Sequence, residues 1–181
     1  MGLRNRNLFD DKHVFFITTT CNRWLPLIAI GNGYQIVFKS LNFCLQKYKS
    51  KMLGYVIMPN HLHMIIYFTE GKHRSNFMRD FKKYTSTMLR KEIEKYKPDL
   101  LSQLRKEETK AIFKVWQDRF DEVYLEDRGL LETKLDYIHH NPVQGKWRLV
   151  EDPVEYPYSS MAYYEKNESG FIPIDHYRDF V

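Results

Sequence analysis

The 181 residues suit one ordinary domain, and a make-up of 43% hydrophobic and 28% charged residues excludes a membrane-embedded or low-complexity chain. Two cysteines, Cys21 and Cys44, are too few for a disulfide framework, the polar stretch from Met1 to Asp10 lacks the apolar run of a signal peptide, and nothing approaches membrane-helix length, so the expected setting is the cytoplasm. A net charge of +5 points to a polyanionic partner, most simply nucleic acid.

His13 to Thr20 (HVFFITTT) is β-branched and aromatic and predicts a first strand. Asn22 to Leu27 reads as a loop or a short strand extension. Gly31-Asn32-Gly33 opens a helix to about Lys49, on the spacing of Ile36, Val37, Leu41, Cys44 and Leu45. Met52 to Met58 predicts a second strand and His61 to Phe68 a third, joined as a hairpin through Pro59-Asn60. Gly71 to Asn76 reads as a loop. Phe77 to Tyr96 is the second helix, with Phe77, Phe81, Tyr84 and Met88 along one side and Pro98 closing it. Asp99 to Lys110 reads as a charged connection. Ala111 to Trp116 and Arg119 to Leu125 read as extended segments around a turn. Asp127 to Asn141 is the third clear helix. Pro142 stops it, because the residue before a proline is biased out of the α region. The remainder reads as loop with one short helix. This order matches an α+β, ferredoxin-like βαββαβ plan, an antiparallel sheet with helices on one face. Residues 1–181 are read as one domain, with a core over about 11–160 and a tail after it.

His61 and His63 stand one residue apart in the third strand, so their side chains share a face. Two imidazoles there offer converging lone pairs, which suits a divalent metal. The plainer alternative is a half-buried strand with two exposed histidines. The third helix adds chemistry. Tyr137 and Asn141 are four residues apart and share a helical face, while Leu131, Leu135 and Ile138 form an adjacent stripe for packing on the sheet. Set beside the histidines, this helix completes a group of two imidazoles, one carbonyl oxygen and one phenol. Taken singly, each has a commoner use: Tyr137 as a core or rim tyrosine, Asn141 as a helix-ending residue, His139 and His140 as solvent-facing groups. Tyr84 is a rival nucleophile, although its side of the second helix favours packing. Asp121 and Glu122, and less so Asp80, are further candidates for a metal.

In order along the chain, Met58-Pro59-Asn60-His61-Leu62-His63, Val115-Trp116-Gln117, Asp136-Tyr137-Ile138-His139-His140-Asn141-Pro142-Val143 and Tyr156-Pro157-Tyr158-Ser159-Ser160 resemble the REP-associated tyrosine transposases, relatives of the IS200/IS605 group. His61-Leu62-His63 is similar to the histidine–hydrophobe–histidine signature of single-strand DNA nucleases and transposases. The pair alone is a weak signal, but the ordered set is specific and runs from about His13 to Ser160. The resemblance implies a ferredoxin-like fold, a catalytic Tyr137, metal ligands His61 and His63, dependence on Mg²⁺ or Mn²⁺, and hairpin-forming single-stranded DNA as substrate. In the wider superfamily the third ligand is often a Gln or another polar residue on the tyrosine helix; here Asn141 holds that place.

On this reading the reaction is transesterification, in which Tyr137 attacks the scissile phosphorus and forms a 5′-phosphotyrosine link. A phenol ordinarily titrates near about 10, and no general base is legible. DNA binding is expected from Arg79, Lys82, Lys83, Arg90, Arg119, Lys134, Lys146 and Arg148, with salt-dependent affinity, and base stacking from Trp24, Trp147 or Tyr158. Two alternatives stay open: a non-catalytic nucleic-acid-binding protein that keeps the fold, and a metal-dependent hydrolase using water. One chain can hold all four site residues, but the superfamily includes dimers that share active sites, so monomer and homodimer both stand.

Overall fold

The computed structural model describes residues 11–104, 113–145 and 147–181. Among these, four strands form: β1 (Val14–Thr20), β2 (Ser50–Ile57), β3 (His61–Phe68) and β4 (Asp121–Tyr124). Their spatial order is β2-β3-β1-β4, with every neighbouring pair antiparallel. The first crossover is α1 (Gly33–Lys47), which links β1 to β2; β3 then returns between them. The second is α2 (Arg74–Tyr96), followed by a short α3 (Asp99–Leu104). After β4 come α4 (Arg128–His140) and a short α5 (Met161–Lys166). This is the ferredoxin-like order expected from the sequence.

Side-chain alternation divides the core into two layers. Phe15 and Ile17 of β1 and Leu62, Met64, Ile66 and Phe68 of β3 face α1 and α2. Val14 and Phe16 of β1, Ile65 of β3 and Leu53 and Val56 of β2 face the other way, against Leu131, Leu135 and Ile138 of α4. The expectation of helices on one face is therefore corrected: α4 covers the second face. The reason lies in β3, whose buried residues fall on both parities (Leu62, Met64 and Ile66 against His61, His63 and Ile65), so neither face can be left to water.

Several boundaries differ from the sequence reading. Helix α2 starts at Arg74, not Phe77, because Arg74 is a buried anchor. Its Nε donates to Glu122 Oε2 at 3.3 Å, and its guanidinium lies 4.1 Å from the Phe15 ring centroid. The charged connection after Pro98 begins as α3. Residues 105–112, which take in the rest of that connection and the start of the extended segment at Ala111, lie outside the described residues. Within 113–117 a bridge joins Cys21 to Trp116, flanked by Asn22 N–H to the Val115 carbonyl at 2.7 Å and Gln117 N–H to the Thr20 carbonyl at 2.9 Å. Both cysteines are free and buried, and burial raises the Cys21 and Cys44 thiols to about 12 and about 11.

The C-terminal residues belong to the sheet. Tyr158 and Ser160 pair with the outer edge of β2, through Ile57 N–H to the Tyr158 carbonyl at 2.8 Å and Ser160 N–H to the Tyr55 carbonyl at 3.0 Å. An edge strand's unpaired backbone groups invite association with other chains; the Tyr-Pro-Tyr-Ser-Ser segment closes this one. No helix among the described residues is long and apolar enough to cross a membrane.

Candidate active site

The tight turn at Pro59-Asn60 is closed by Met58 N–H to the His61 carbonyl at 2.8 Å. It fixes the β2–β3 register, in which His63 opposes Val56; on the other side of β3, His61 opposes Thr20 and His63 opposes Thr18 of β1. Both imidazoles then point to the α4 face, their ring centroids 4.8 Å apart and nearly perpendicular. Asn60, fully buried, orients the first. Its Nδ2 donates to the Trp24 carbonyl at 3.1 Å, which turns its Oδ1 toward His61 Nδ1 at 2.7 Å. His61 Nδ1 is thereby the protonated nitrogen, and the Nε2 lone pair is left for another partner. His63 is held by Thr18, whose Oγ1 lies 2.7 Å from Nδ1, and by the Phe16 ring stacked on it at 5.4 Å. His63 Nε2 is buried with no hydrogen-bond partner. Burial keeps both rings neutral. Desolvation pushes His61 down to about 4, opposed by its hydrogen bond to the Asn141 side chain. It pushes His63 down to about 3, helped by charge repulsion from His61 and Lys134.

Helix α4 brings the other half. Asp127 caps its N-terminus by accepting from Leu130 N–H at 2.9 Å. Leu131, Leu135 and Ile138 lock it to the sheet. Leu135 drops into a notch over Gly54, where a Cβ would stand only 2.5 Å from Leu135 Cδ1. At that height the Tyr137 ring lies 5.2 Å from the His63 ring, centroid to centroid, and 6.2 Å from Phe16. Tyr137 is nonetheless 46% exposed, open to a large ligand. Pro142 does not push Asn141 out of the α region as expected; Asn141 keeps φ −56° and ψ −40°. Pro142 instead sits in the first positions of a single 3₁₀ turn, Asn141–Val143, where its missing N–H costs nothing. The helical register therefore persists through Asn141 and sets its side chain on His61. All four groups meet within one chain.

Other sequence candidates fall as follows. Lys134 belongs to the site: its Nζ lies 5.1 Å from the Phe16 ring and 6.0 Å from the Tyr137 ring. Arg119 and Arg148 are exposed, and Lys146 lies outside the described residues. Arg79, Lys82, Lys83 and Arg90 all ride on α2, across the sheet from the histidines. Lys82 is turned to the carbonyls of Gln117, Asp118 and Arg119, Arg79 pairs with Asp80, and Arg90 covers the Phe113 ring at 4.1 Å. Tyr84, 39% exposed, is on the same remote layer, so it is removed from the histidines without being core. Asp80 holds Lys47 and Tyr48 there, each at 2.6 Å. Glu122 faces α2 and pairs with Arg74, whereas exposed Asp121 shares a face and a register row with Thr18 and His63. His139 corrects its solvent-facing reading: it is buried, with Nε2 2.9 Å from Ser160 Oγ. Tyr158 is stacked against Tyr34 at 3.8 Å, and Trp147 packs on the α4 layer. Trp24 is 56% exposed. Sequence reasoning missed Asn60, Thr18 and Phe16 as supports of the histidines; strand parity sets Phe16 and Thr18 on one face of β1, and the β1–β3 register brings that face to His63.

Comparison with known proteins follows this geometry. A sequence model described as "Transposase IS200 like" matches residues 28–141. The fold is similar to a solved REP-associated tyrosine transposase bound to a REP hairpin, at TM-score 0.66 and 20% identity, covering 90% of this chain and 86% of that one. A candidate transposase from Deinococcus radiodurans R1 aligns at TM-score 0.47 and 9% identity, over 70% of this chain and 88% of that one. No curated protein matches the sequence. The chain belongs to the IS200-like transposase family, DNA-processing enzymes.

Proposed function

We propose that the protein is a metal-dependent single-stranded DNA endonuclease and strand transferase that acts on hairpin-forming repeat DNA through a 5′-phosphotyrosine intermediate. The observation that carries this reading is the meeting of a phenol, two neutral imidazoles and an amide at one place on the sheet. The likeness to a hairpin-bound transposase supports the substrate class. The whole chain is read as one domain of this type.

The residues fit a divalent ion. His63 Nε2 is buried without a partner, His61 is pinned in the tautomer that frees Nε2, and both rings stay neutral at physiological pH. The Asn141 side chain, hydrogen-bonded to His61, would offer its amide oxygen as the third donor beside His61 and His63. Mg²⁺ or Mn²⁺ bound there would act as a Lewis acid on the scissile phosphate and orient it. Tyr137 Oη forms a bond to phosphorus as the bond from phosphorus to the 3′ oxygen breaks; the phenol gives up its proton and the departing 3′ oxygen gains one. Lys134 supplies a cation beside the phosphate charge. Phe16 backs both rings, stacked on His63 and edge-on to Tyr137, while those two rings meet each other directly. Rejoining is the reverse attack by a 3′-hydroxyl on the phosphotyrosine.

Labelled hairpin DNA with a single-stranded flank, incubated with and without Mg²⁺ or Mn²⁺, tests this on a denaturing gel. Wild type should form a metal-dependent protein–DNA adduct. Tyr137→Phe should form none while binding the DNA within a few-fold of wild type. Cleavage without an adduct would indicate a hydrolase, no cleavage a binding protein, and an adduct in Tyr137→Phe another nucleophile.

A further inference from the structure

Trp24 sits where a solvent-facing tryptophan has no structural reason to be. Its side chain is 56% exposed, and its backbone lies in the left-handed region with φ 58°, as does Arg23 with φ 54°. That region is a true outlier for a bulky residue, and such strain persists only where the surroundings impose it. Here they do. Cys21 N–H donates to the Asn60 carbonyl at 2.7 Å, Ile28 N–H to the Pro59 carbonyl at 3.0 Å, and Asn60 Nδ2 to the Trp24 carbonyl at 3.1 Å. The loop is thus stitched at both ends and in the middle to the turn that delivers His61. The indole stands edge-to-face with the His61 ring, 6.0 Å between centroids. A core role would bury the indole; a free surface role would not need three hydrogen bonds to the histidine turn.

We propose that Trp24 is a stacking platform for one unpaired base of the DNA strand whose phosphate lies at His61 and His63, with Asn60 tying the platform to the histidine. This rests on the reading of that site as one for single-stranded DNA. An exposed indole offers a face to any base, so stacking of this kind is tolerant of sequence and localises a nucleotide rather than identifying it. Asn60 makes the arrangement rigid. The same amide that sets the His61 tautomer also sets the Trp24 carbonyl, so the base and the phosphate are held at a fixed separation. Arg23, next to Trp24 in the same strained loop, brings a cation to the strand's backbone.

The probe is hairpin DNA with a mixed-sequence single-stranded flank carrying 2-aminopurine at each flank position in turn. It is titrated with Tyr137→Phe protein so that nothing is cut. One flank position should lose fluorescence on binding, and Trp24→Ala should abolish the quench at that position alone, with roughly tenfold weaker binding. Trp24→Phe should retain most of both. The thermal midpoint and Mn²⁺ affinity of Trp24→Ala should match those of its parent, which separates stacking from damage to the site. An identical quenching pattern with and without Trp24, or no quenched position, overturns the proposal. Cleavage of the same DNA by wild type is scored in parallel. A Trp24-dependent quench without cleavage defeats the Tyr137 chemistry but leaves the platform, and cleavage without that quench does the opposite.

Discussion

Asn60 serves two partners with one amide, and both are backbone or ring atoms that nothing else is shown to satisfy. Asn60→Ala should lower stability by about 1–3 kcal/mol, the usual cost of stranding buried polar groups. It should also weaken Mn²⁺ binding by roughly 10- to 100-fold, because the histidine loses the contact that fixes its tautomer. Thermal unfolding and Mn²⁺ titration read the two effects separately; a melting loss with unchanged Mn²⁺ affinity would remove Asn60 from the proposed metal site. The histidines themselves were legible, since alternation in a strand assigns them one face whatever the rest of the fold does. Tyr137 and Asn141 were legible for the equivalent helical reason. Thr18 and Asn60 were not. The Thr18 contact depends on the register between β1 and β3, and the Asn60 contact on a carbonyl 36 residues away. His139 misled because its partner, Ser160, arrives from a segment with no regular period.

At the scale of elements, the proposed catalytic geometry depends on how deeply α4 seats on the sheet. Gly54 decides this by leaving room for Leu135 next to a bulge in β2. Gly54→Ala forces the methyl against Leu135. The expected cost is about 1–3 kcal/mol from overpacking, with adduct formation falling further than DNA binding as Tyr137 is lifted from His63. Leu135→Ala in the same chain should recover part of the adduct rate by removing the clash, measured as single-turnover adduct formation at saturating DNA. If Gly54→Ala leaves that rate unchanged, helix height does not control the nucleophile. The element order and the two crossover helices followed from periodicity. The side on which α4 lies did not, because β2 and β3 are apolar on both faces and either would accept a helix. The buried ion pair of Arg74 with Glu122 shows the same limit: two charges in sequence read as surface, yet they extend α2 by a turn and pin it to β4.

At the scale of the molecule, basic residues divide between the two layers, and only one layer carries the site. Lys134→Gln should reduce the slope of log affinity against log salt by about one, whereas Arg79→Gln, on the α2 layer and paired with Asp80, should leave it unchanged. A slope change in the second variant would place DNA across α2. Stability should also respond to acid. His139 is buried with its pKa lowered to about 4 by desolvation, while the unfolded chain takes up that proton near 6.5. The unfolded state therefore binds more protons below pH 6.5, and stability falls from there toward about pH 4, His139 contributing up to roughly 3 kcal/mol and the buried, neutral His61 and His63 adding to the same window. Asp80 adds a second window: Lys47 and Tyr48 hold it at about 2, so its contribution is full above the ordinary carboxylate value of 3.8 and is lost toward pH 2. Denaturant unfolding of chelator-treated protein across this range, with His139→Gln removing its own share of the upper window and leaving that of His61 and His63, checks the sign. The convergence of the His61–Leu62–His63 strand with the Tyr137 helix is tested most directly by trapping the metal-dependent DNA adduct, digesting it, and locating the modified peptide by mass spectrometry. A 5′-phosphate link on Tyr137 is the predicted result; a link on Tyr84 or any other residue would contradict it.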